Sequence, residues 1–402
     1  MSIISKRLSL IKPSPTLAVA QKAAQLKKEG KDIISLGAGE PDFDTPSNIK
    51  QAAIEGIKAG ATKYTNVDGT PALKEAIAKK FKRENNLEYN LDEIIVSTGG
   101  KQVIYNLFMA SLNPGDEVII PAPYWVSYPD IVRLAGGEPV FANCEMEDNF
   151  KLSPQHLENM ITPQTKWLIL NSPSNPTGAS YTKEELQKLA EVLTNHPHVY
   201  IMSDDIYEHI IFDDFKFYTL AQVAPDLKSR IFIVNGVSKS YSMTGWRIGY
   251  GAGPKDLIKA MTIIQSQSTS NPSSISQVAA LEALQGTQDF IRPNAINFQK
   301  KRDLAINTLS AINELECYKP EGAFYLFPKC SKLFGSKSPD NIIISSSNNF
   351  AEYLLEYSGI AVVPGIAFGL EGYFRISFAT SEEEIEKACL KIVNACRQLV
   401  RD

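Results

Sequence analysis

Five short apolar runs, each leading into residues that can carry chemistry, constrain the fold of this chain more than any other feature. They span 93–97, 117–120, 166–170, 199–203 and 230–234, and helix-type patterns alternate with them from about residue 70 onward. Such alternation predicts an α/β fold with a mostly parallel sheet. Two of the helix starts are well marked. Thr70 can cap a helix with Pro71 at its first position and Leu73, Ile77 and Phe81 on one face. Thr182-Lys183-Glu184-Glu185 is a capping-box pattern ahead of Leu186, Leu189 and Leu193. The runs lead in turn to Thr98-Gly99-Gly100-Lys101, to Pro121-Ala122-Pro123-Tyr124-Trp125, to the turn sequence at 171–178, to Asp204-Asp205-Ile206-Tyr207 and to Lys239. Open α/β sheets bind ligands beyond the carboxyl ends of their strands. Packing alone does not require reactive residues at all five ends.

The fifth end narrows the chemistry. Lys239 sits among small residues in Gly236-Val237-Ser238-Lys239-Ser240-Tyr241-Ser242-Met243-Thr244-Gly245-Trp246-Arg247-Ile248-Gly249. A lysine in a tight turn can form a Schiff base with an aldehyde, and a nearby guanidinium can hold a phosphate. Pyridoxal 5'-phosphate supplies both groups. The plain alternative, a solvated loop lysine, leaves the other four strand ends unexplained.

Several other classes fit poorly. The net charge is −4 and no long basic run occurs, so no nucleic-acid partner is expected. The five cysteines are scattered without a Cys-x-x-Cys pair, which argues against disulfides or structural zinc. The four histidines lack metal-ligand spacing, so no metal is expected. No apolar run approaches the roughly 20 residues of a membrane helix, and Lys12 and Pro13 interrupt any secretory core. The expected location is the cytoplasm, away from membranes.

A composition break at 285–288, followed by Arg292-Pro293, suggests a boundary. The expected division is an N-terminal arm contributing to a small domain (1–45), a large cofactor-binding domain with a central sheet between helices (46–287), and a smaller α/β domain (288–402). In the last part, strand-like runs at 322–327 and 372–378 precede a helix capped by Thr380 or Ser381. The polar run 345–349 is expected to be a loop.

Taken with Gly39-Glu40-Pro41-Asp42-Phe43, Tyr64-Thr65-Asn66, Pro123-Tyr124-Trp125-Val126-Ser127-Tyr128-Pro129, Asn175-Pro176-Thr177-Gly178 and Phe374-Arg375-Ile376-Ser377, these strings resemble the fold-type I, class I aminotransferases across nearly the whole chain. The branch most resembled is that of bacterial aspartate aminotransferases that also handle prephenate. The resemblance implies pyridoxal 5'-phosphate on Lys239, which would also move the substrate α-proton. It implies that Asp204 pairs with the ring nitrogen, Asn175 and Tyr207 bond the phenolic oxygen, and Trp125 stacks on the ring. Gly100, Lys101 and Arg247 would hold the phosphate, with Tyr64 reaching that of the neighbouring subunit in a homodimer with shared sites. Family members often carry serine three residues before the lysine. Gly236 stands there in this chain, and Ser238 is the candidate replacement.

For the substrate, the resemblance implies Arg375 and the Gly39 backbone on the α-carboxylate, with Trp125 and Asn175 alongside. An arginine inside an apolar strand suits a bidentate carboxylate; an edge-strand arginine is the alternative. Better-known dicarboxylate-specific relatives use a neighbouring-subunit arginine, which the segment 266–272 lacks. The prephenate-competent branch uses positions matched here by Lys12, Thr16 and Lys101. The function so implied is amino transfer between aspartate or glutamate and 2-oxoglutarate or oxaloacetate, with prephenate converted to arogenate. Alternatives are an aromatic or alanine aminotransferase, a carbon–sulfur lyase, or a non-catalytic ligand-sensing domain. A nicotinamide-dependent dehydrogenase would rest only on the glycines of 249–253, which lack the full fingerprint.

Overall fold

The computed structural model describes residues 3–401; residues 1, 2 and 402, at the outer ends of the expected first and last domains, lie outside the described residues. The chain opens with α1 (Pro15–Lys28), a two-residue strand β1 (Ile34–Ser35) and α2 (Ser47–Lys58). Next come α3 (Pro71–Asn85), β2 (Ile94–Ser97) and α4 (Gly100–Ser111). The Thr70 hydroxyl accepts the Leu73 N–H at 3.4 Å, so α3 starts where the sequence places it. Then follow β3 (Glu117–Ala122), α5 (Tyr128–Leu134), β4 (Glu138–Asn143) and α6 (Pro154–Met160).

The alternation continues through β5 (Thr165–Asn171), α7 (Lys183–Asn195), β6 (Tyr200–Asp204), α8 (Leu220–Val223) and β7 (Ile231–Gly236). The capping box of α7 is complete: Thr182 Oγ1 accepts the Glu185 N–H at 3.2 Å, and Glu185 accepts the Thr182 N–H at 2.7 Å. Such a cap is worth about 1 kcal/mol. After β8 (Gly249–Ala252) come α9 (Lys255–Ser266), α10 (Ser274–Gln285) and the long α11 (Ile291–Leu309). The chain finishes with β9 (Tyr325–Leu326), α12 (Ser347–Ser358), β10 (Ile360–Ala361), β11 (Val363–Pro364), β12 (Phe374–Ser377) and α13 (Glu382–Arg397).

Seven strands form one sheet in the order β2-β8-β7-β6-β5-β3-β4. All neighbouring pairs are parallel except those made by β8, which runs antiparallel between β2 and β7. Alternate residues face opposite sides. Val96, Ile119, Leu168, Ile201 and Ile233 pack with α2, α3, α7 and α10. Ile95, Val118, Trp167, Met202 and Phe232 pack with α4, α5 and α9. Burial of both faces is why these strands are continuously apolar, each large side chain contributing roughly 1.5–3 kcal/mol. This is the expected α/β layering.

Two strands of this sheet escape the sequence patterns. β4 is an exposed edge carrying Pro139, with little apolar signature. β8 is the glycine-rich stretch 249–252, and its glycines serve packing. A Cβ on Gly251 would lie 2.4 Å from Phe232, and one on Gly249 would lie 2.2 Å from the Gly100 nitrogen. The dehydrogenase alternative therefore loses its only support, because these glycines form an antiparallel strand.

A second core gathers Phe298 and Ala305 of α11, Phe350 and Leu354 of α12, and Ile385 and Ile392 of α13. Ile34 and Leu36 join it, and Ile34 pairs in parallel with Ile360. The N-terminal segment is thus built into the C-terminal part. β11, β12 and β9 form a small antiparallel sheet beside it. The expected loop at 345–349 is instead a helix start. Ser346 accepts the Asn349 N–H at 3.2 Å and caps α12, a role that polar composition alone does not separate from a loop. Among the described residues, no helix is long and apolar enough to cross a membrane.

Candidate active site

The carboxyl ends of β5, β6 and β7 open into a cavity of about 430 Å³. Asn171, Asp204 and Val234 line it from the sheet, Gly100 and Lys101 from the start of α4, and Arg375 from β12. Gly37, Gly39, Glu40 and Thr16 complete the opposite side.

Asp204 ends β6 and is buried. Its Oδ2 accepts the Tyr128 hydroxyl at 2.6 Å, and among the described residues no salt bridge reaches it. Burial raises its pKa to about 6, against the lowering pull of the Tyr128 hydrogen bond and the Ile206 N–H. Lys239 lies in the turn after β7, and its Nζ donates to the Gly39 carbonyl. Burial pulls this amine down to about 8, and the Arg375 guanidinium acts in the same direction. Tyr207 and Tyr325 are joined by their hydroxyls at 2.9 Å.

Arg375 is the clearest sign of a ligand. It is 2% exposed, yet its terminal nitrogens meet only neutral acceptors: Asn175 Oδ1 at 2.9 Å and the Gly37 carbonyl at 2.7 Å. Its Nε has no partner, and the guanidinium lies 4.5 Å from the centre of the Tyr325 ring. A buried cation without a counter-charge is costly unless an anion completes it.

The other corner suits a second anion. Gly99 has φ +86°, and a Cβ there would lie 2.3 Å from the Arg247 guanidinium. Arg247 itself adopts the left-handed conformation at φ 57°, a backbone cost of about 1–2 kcal/mol for a non-glycine residue. α4 starts at Gly100 and aims its N-terminus at the same corner. Lys101 Nζ stands 4.9 Å from the centre of the Trp125 ring, and burial together with Arg247 lowers its pKa.

The cavity thus gathers Gly39, Gly100, Lys101, Trp125, Asn175, Asp204, Tyr207, Ser238, Lys239, Arg247, Arg375 and Thr16. Two candidates stand elsewhere. Tyr64 is 91% exposed, and Lys12 lies beside Asp130 of α5, meeting its carboxylate with a main-chain N–H. Gly236 sits in β7 against Gly249, where a Cβ would meet three atoms at 3.1–3.2 Å; Ser238 lines the cavity. Sequence reasoning assigned no role to Tyr128 or Tyr325. Both lie in stretches it singled out, 123–129 and 322–327, but nothing local shows which aromatic turns inward.

A lysine with a depressed pKa, a buried carboxylate without a protein cation and an anion corner at strand ends suit a phosphorylated, aldehyde-bearing cofactor. The family profile described as aminotransferase class I and II matches residues 31–392, and the chain belongs to that family. It is 73% identical over 399 residues, 99% of this chain and 100% of the other, to a Rickettsia bellii protein named probable aspartate/prephenate aminotransferase. The aspartate aminotransferase of Rhizobium meliloti matches with a TM-score of 0.97 and 54% identity, covering 100% of both chains. The Thermus thermophilus aspartate aminotransferase with maleate matches at 0.92 and 44%, covering 98% of this chain and 100% of that one.

The family's cofactor is pyridoxal 5'-phosphate, and the residues present fit it. Asp204 offers a buried carboxylate without a protein cation, and the Gly99 cradle keeps the Arg247 guanidinium where a phosphate can reach it.

Proposed function

We propose that this enzyme moves an amino group between aspartate or glutamate and 2-oxoglutarate or oxaloacetate, and that it also accepts prephenate, forming arogenate. The observation that carries this reading is Arg375, a buried cation with only neutral partners, with Lys101 in the same cavity. One site offers positive charge for two carboxylates. The Rickettsia bellii relative is named for aspartate and prephenate, and the Thermus structure for maleate, a dicarboxylate.

Bound cofactor supplies a carbonyl for the amino group and a ring that accepts the electrons left when the α-proton departs. Lys239 takes and returns that proton at Nζ; its depressed pKa makes the neutral amine accessible near physiological pH. Asp204 would hold the protonated ring nitrogen, Tyr207 and Asn175 would bond the phenolic oxygen, and Trp125 would cover the ring. The backbone N–H groups of Gly100 and Lys101, with Ser238 and Arg247, hold the phosphate, which leaves the Lys101 side chain free for substrate. Arg375 takes the α-carboxylate as a fork, beside Asn175 and the backbone around Gly39. Lys101, Thr16 and Lys12 receive the second carboxylate. Tyr64 serves the site of a second copy in a homodimer. The divisions 1–45, 46–287 and 288–402, and a cytoplasmic location, complete the reading.

The test is a half-reaction titration that follows the visible spectrum of the cofactor-loaded protein. Aspartate and glutamate should convert it, and prephenate should restore it. Conversion by phenylalanine alone would overturn the dicarboxylate assignment. Release of pyruvate and ammonia from cystathionine, without an oxo-acid acceptor, would make it a lyase.

A further inference from the structure

We propose that a buried ion cluster behind the cavity clamps both ends of the Lys239 turn, and that His209 within it is a positioning residue for Lys239. The inference rests on the reading that Lys239 holds the cofactor. The cluster joins three segments. α3 supplies Lys80, Glu84 and Asn85; the segment after Asp204 supplies Glu208 and His209; and the end of β7 supplies Asn235. Lys80 is fully buried and ion-pairs with Glu208, with Glu84 at 3.4 Å. Its ammonium also donates to Asn85 at 2.9 Å, and Asn85 Nδ2 donates to Glu208 at 3.2 Å.

Two arms leave this cluster for the lysine turn. On the leading side, Glu208 accepts Asn235 Nδ2 at 2.7 Å, and Asn235 Oδ1 accepts the Gly236 N–H at 2.7 Å. On the trailing side, His209 Nε2 meets Glu84 at 2.9 Å while Nδ1 meets the Ser240 hydroxyl at 3.1 Å. Gly236 and Ser240 bracket Lys239, and Glu208 and His209 directly follow Tyr207. The same cluster therefore ties the segment of Asp204 and Tyr207 to the segment of the amine.

Stability is a poor reason for such a cluster, because well-packed apolar residues often replace buried ion pairs at no loss. A fully satisfied network does hold its members in one geometry. A metal is not the explanation. Glu84, Glu208 and His209 lie close enough to ligate one, but the Lys80 ammonium already supplies the positive charge between the two carboxylates.

The groups facing His209 are few. α3 presents Glu84 and Lys80, with Arg83 bound to Glu84; Glu208 precedes it; and Ser240 and Tyr241 face it from the turn. The small cavity shared by His209 and Lys239 receives Ile291, Asn294, Ala295 and Phe298 from α11, none of them titratable. Glu84 stays charged in this setting: burial raises its pKa, and the His209 hydrogen bond and Lys80 outweigh that and bring it to about 2.

The experiment uses cofactor-loaded Ser240→Ala and His209→Gln, which spare the Lys80–Glu208 pair. Visible absorbance of the lysine-bound cofactor is titrated against pH, and melting temperature is recorded beside it. Both variants should move the spectral midpoint by at least about half a unit, while Ser240→Ala melts within about 4 °C of the parent. Unchanged midpoints in both variants, whatever their melting temperatures, would overturn the proposal and leave the cluster a structural one. Lys239→Ala serves as control. If it keeps the lysine-bound spectrum, the assignment of Lys239 itself fails, a result distinct from failure of the clamp.

Discussion

Asp204 and Arg375 are buried and Lys239 is half-buried, and none takes part in a salt bridge among the described residues, whereas Lys101 and Lys12 are exposed. The first group has shifted proton affinities, about 6 for Asp204 and about 8 for Lys239, because burial penalises their charged forms. Charges of the second group are softened by water and salt. The contrast teaches that buried and exposed charges of one cavity suit different tasks, and on the proposed function it separates reaction from selectivity. Buried, unmatched groups demand a cofactor and an α-carboxylate, which every amino acid offers. On the proposed assignment, the exposed charges Lys101 and Lys12 would choose among side chains, each weakly.

Arg375→Leu tests the buried group most severely. Losing two charge-assisted hydrogen bonds should raise KM about 100-fold for aspartate and alanine alike, with lysine-bound cofactor still formed. Steady-state kinetics on both substrates decides it; a loss confined to aspartate would move Arg375 into the selective group.

Asp204→Asn comes next and shows in stability. The folded pKa of about 6 lies above the ordinary carboxylate value, so ionisation costs the fold stability as pH rises from about 4 to 6. The neutral amide escapes that cost. Without cofactor, the variant should therefore be more stable than the parent by on the order of 2 kcal/mol at pH 8 and no more stable at pH 4. Denaturant unfolding at the two pH values measures this, and a gain at pH 4 would contradict the burial argument.

The smallest effect belongs to the exposed group. Lys101→Met should raise KM for aspartate and glutamate about 5- to 10-fold, roughly 1 kcal/mol, while leaving alanine nearly unchanged. Equal changes for all three would assign Lys101 to the cofactor phosphate rather than to selectivity.

Much of the sheet side was legible because its cues are local. β-branched runs placed five strands to within a residue or two, and Thr70, Thr182 and Ser381 capped the helices their neighbours announced. The glycines of 249–253 lacked a full nucleotide fingerprint, and nothing local showed that 249–252 forms β8. The position of Lys12 beside Asp130, and the burial of Tyr128 and Tyr325 at the cavity wall, had no local cue.

The chain by itself determined the strand–helix alternation, the lysine turn and the reactive residues at the strand ends, since periodicity, caps and side-chain chemistry are properties of neighbouring residues. Only the tertiary structure decided that Arg375 faces Asn175 and Gly37 across 200 and 338 residues, that Ile34 pairs with Ile360, and that α3 delivers Lys80 and Glu84 behind Lys239. Those distances close when two cores pack, and burial, which sets both the unmatched charges and their pKa values, does not exist before that packing.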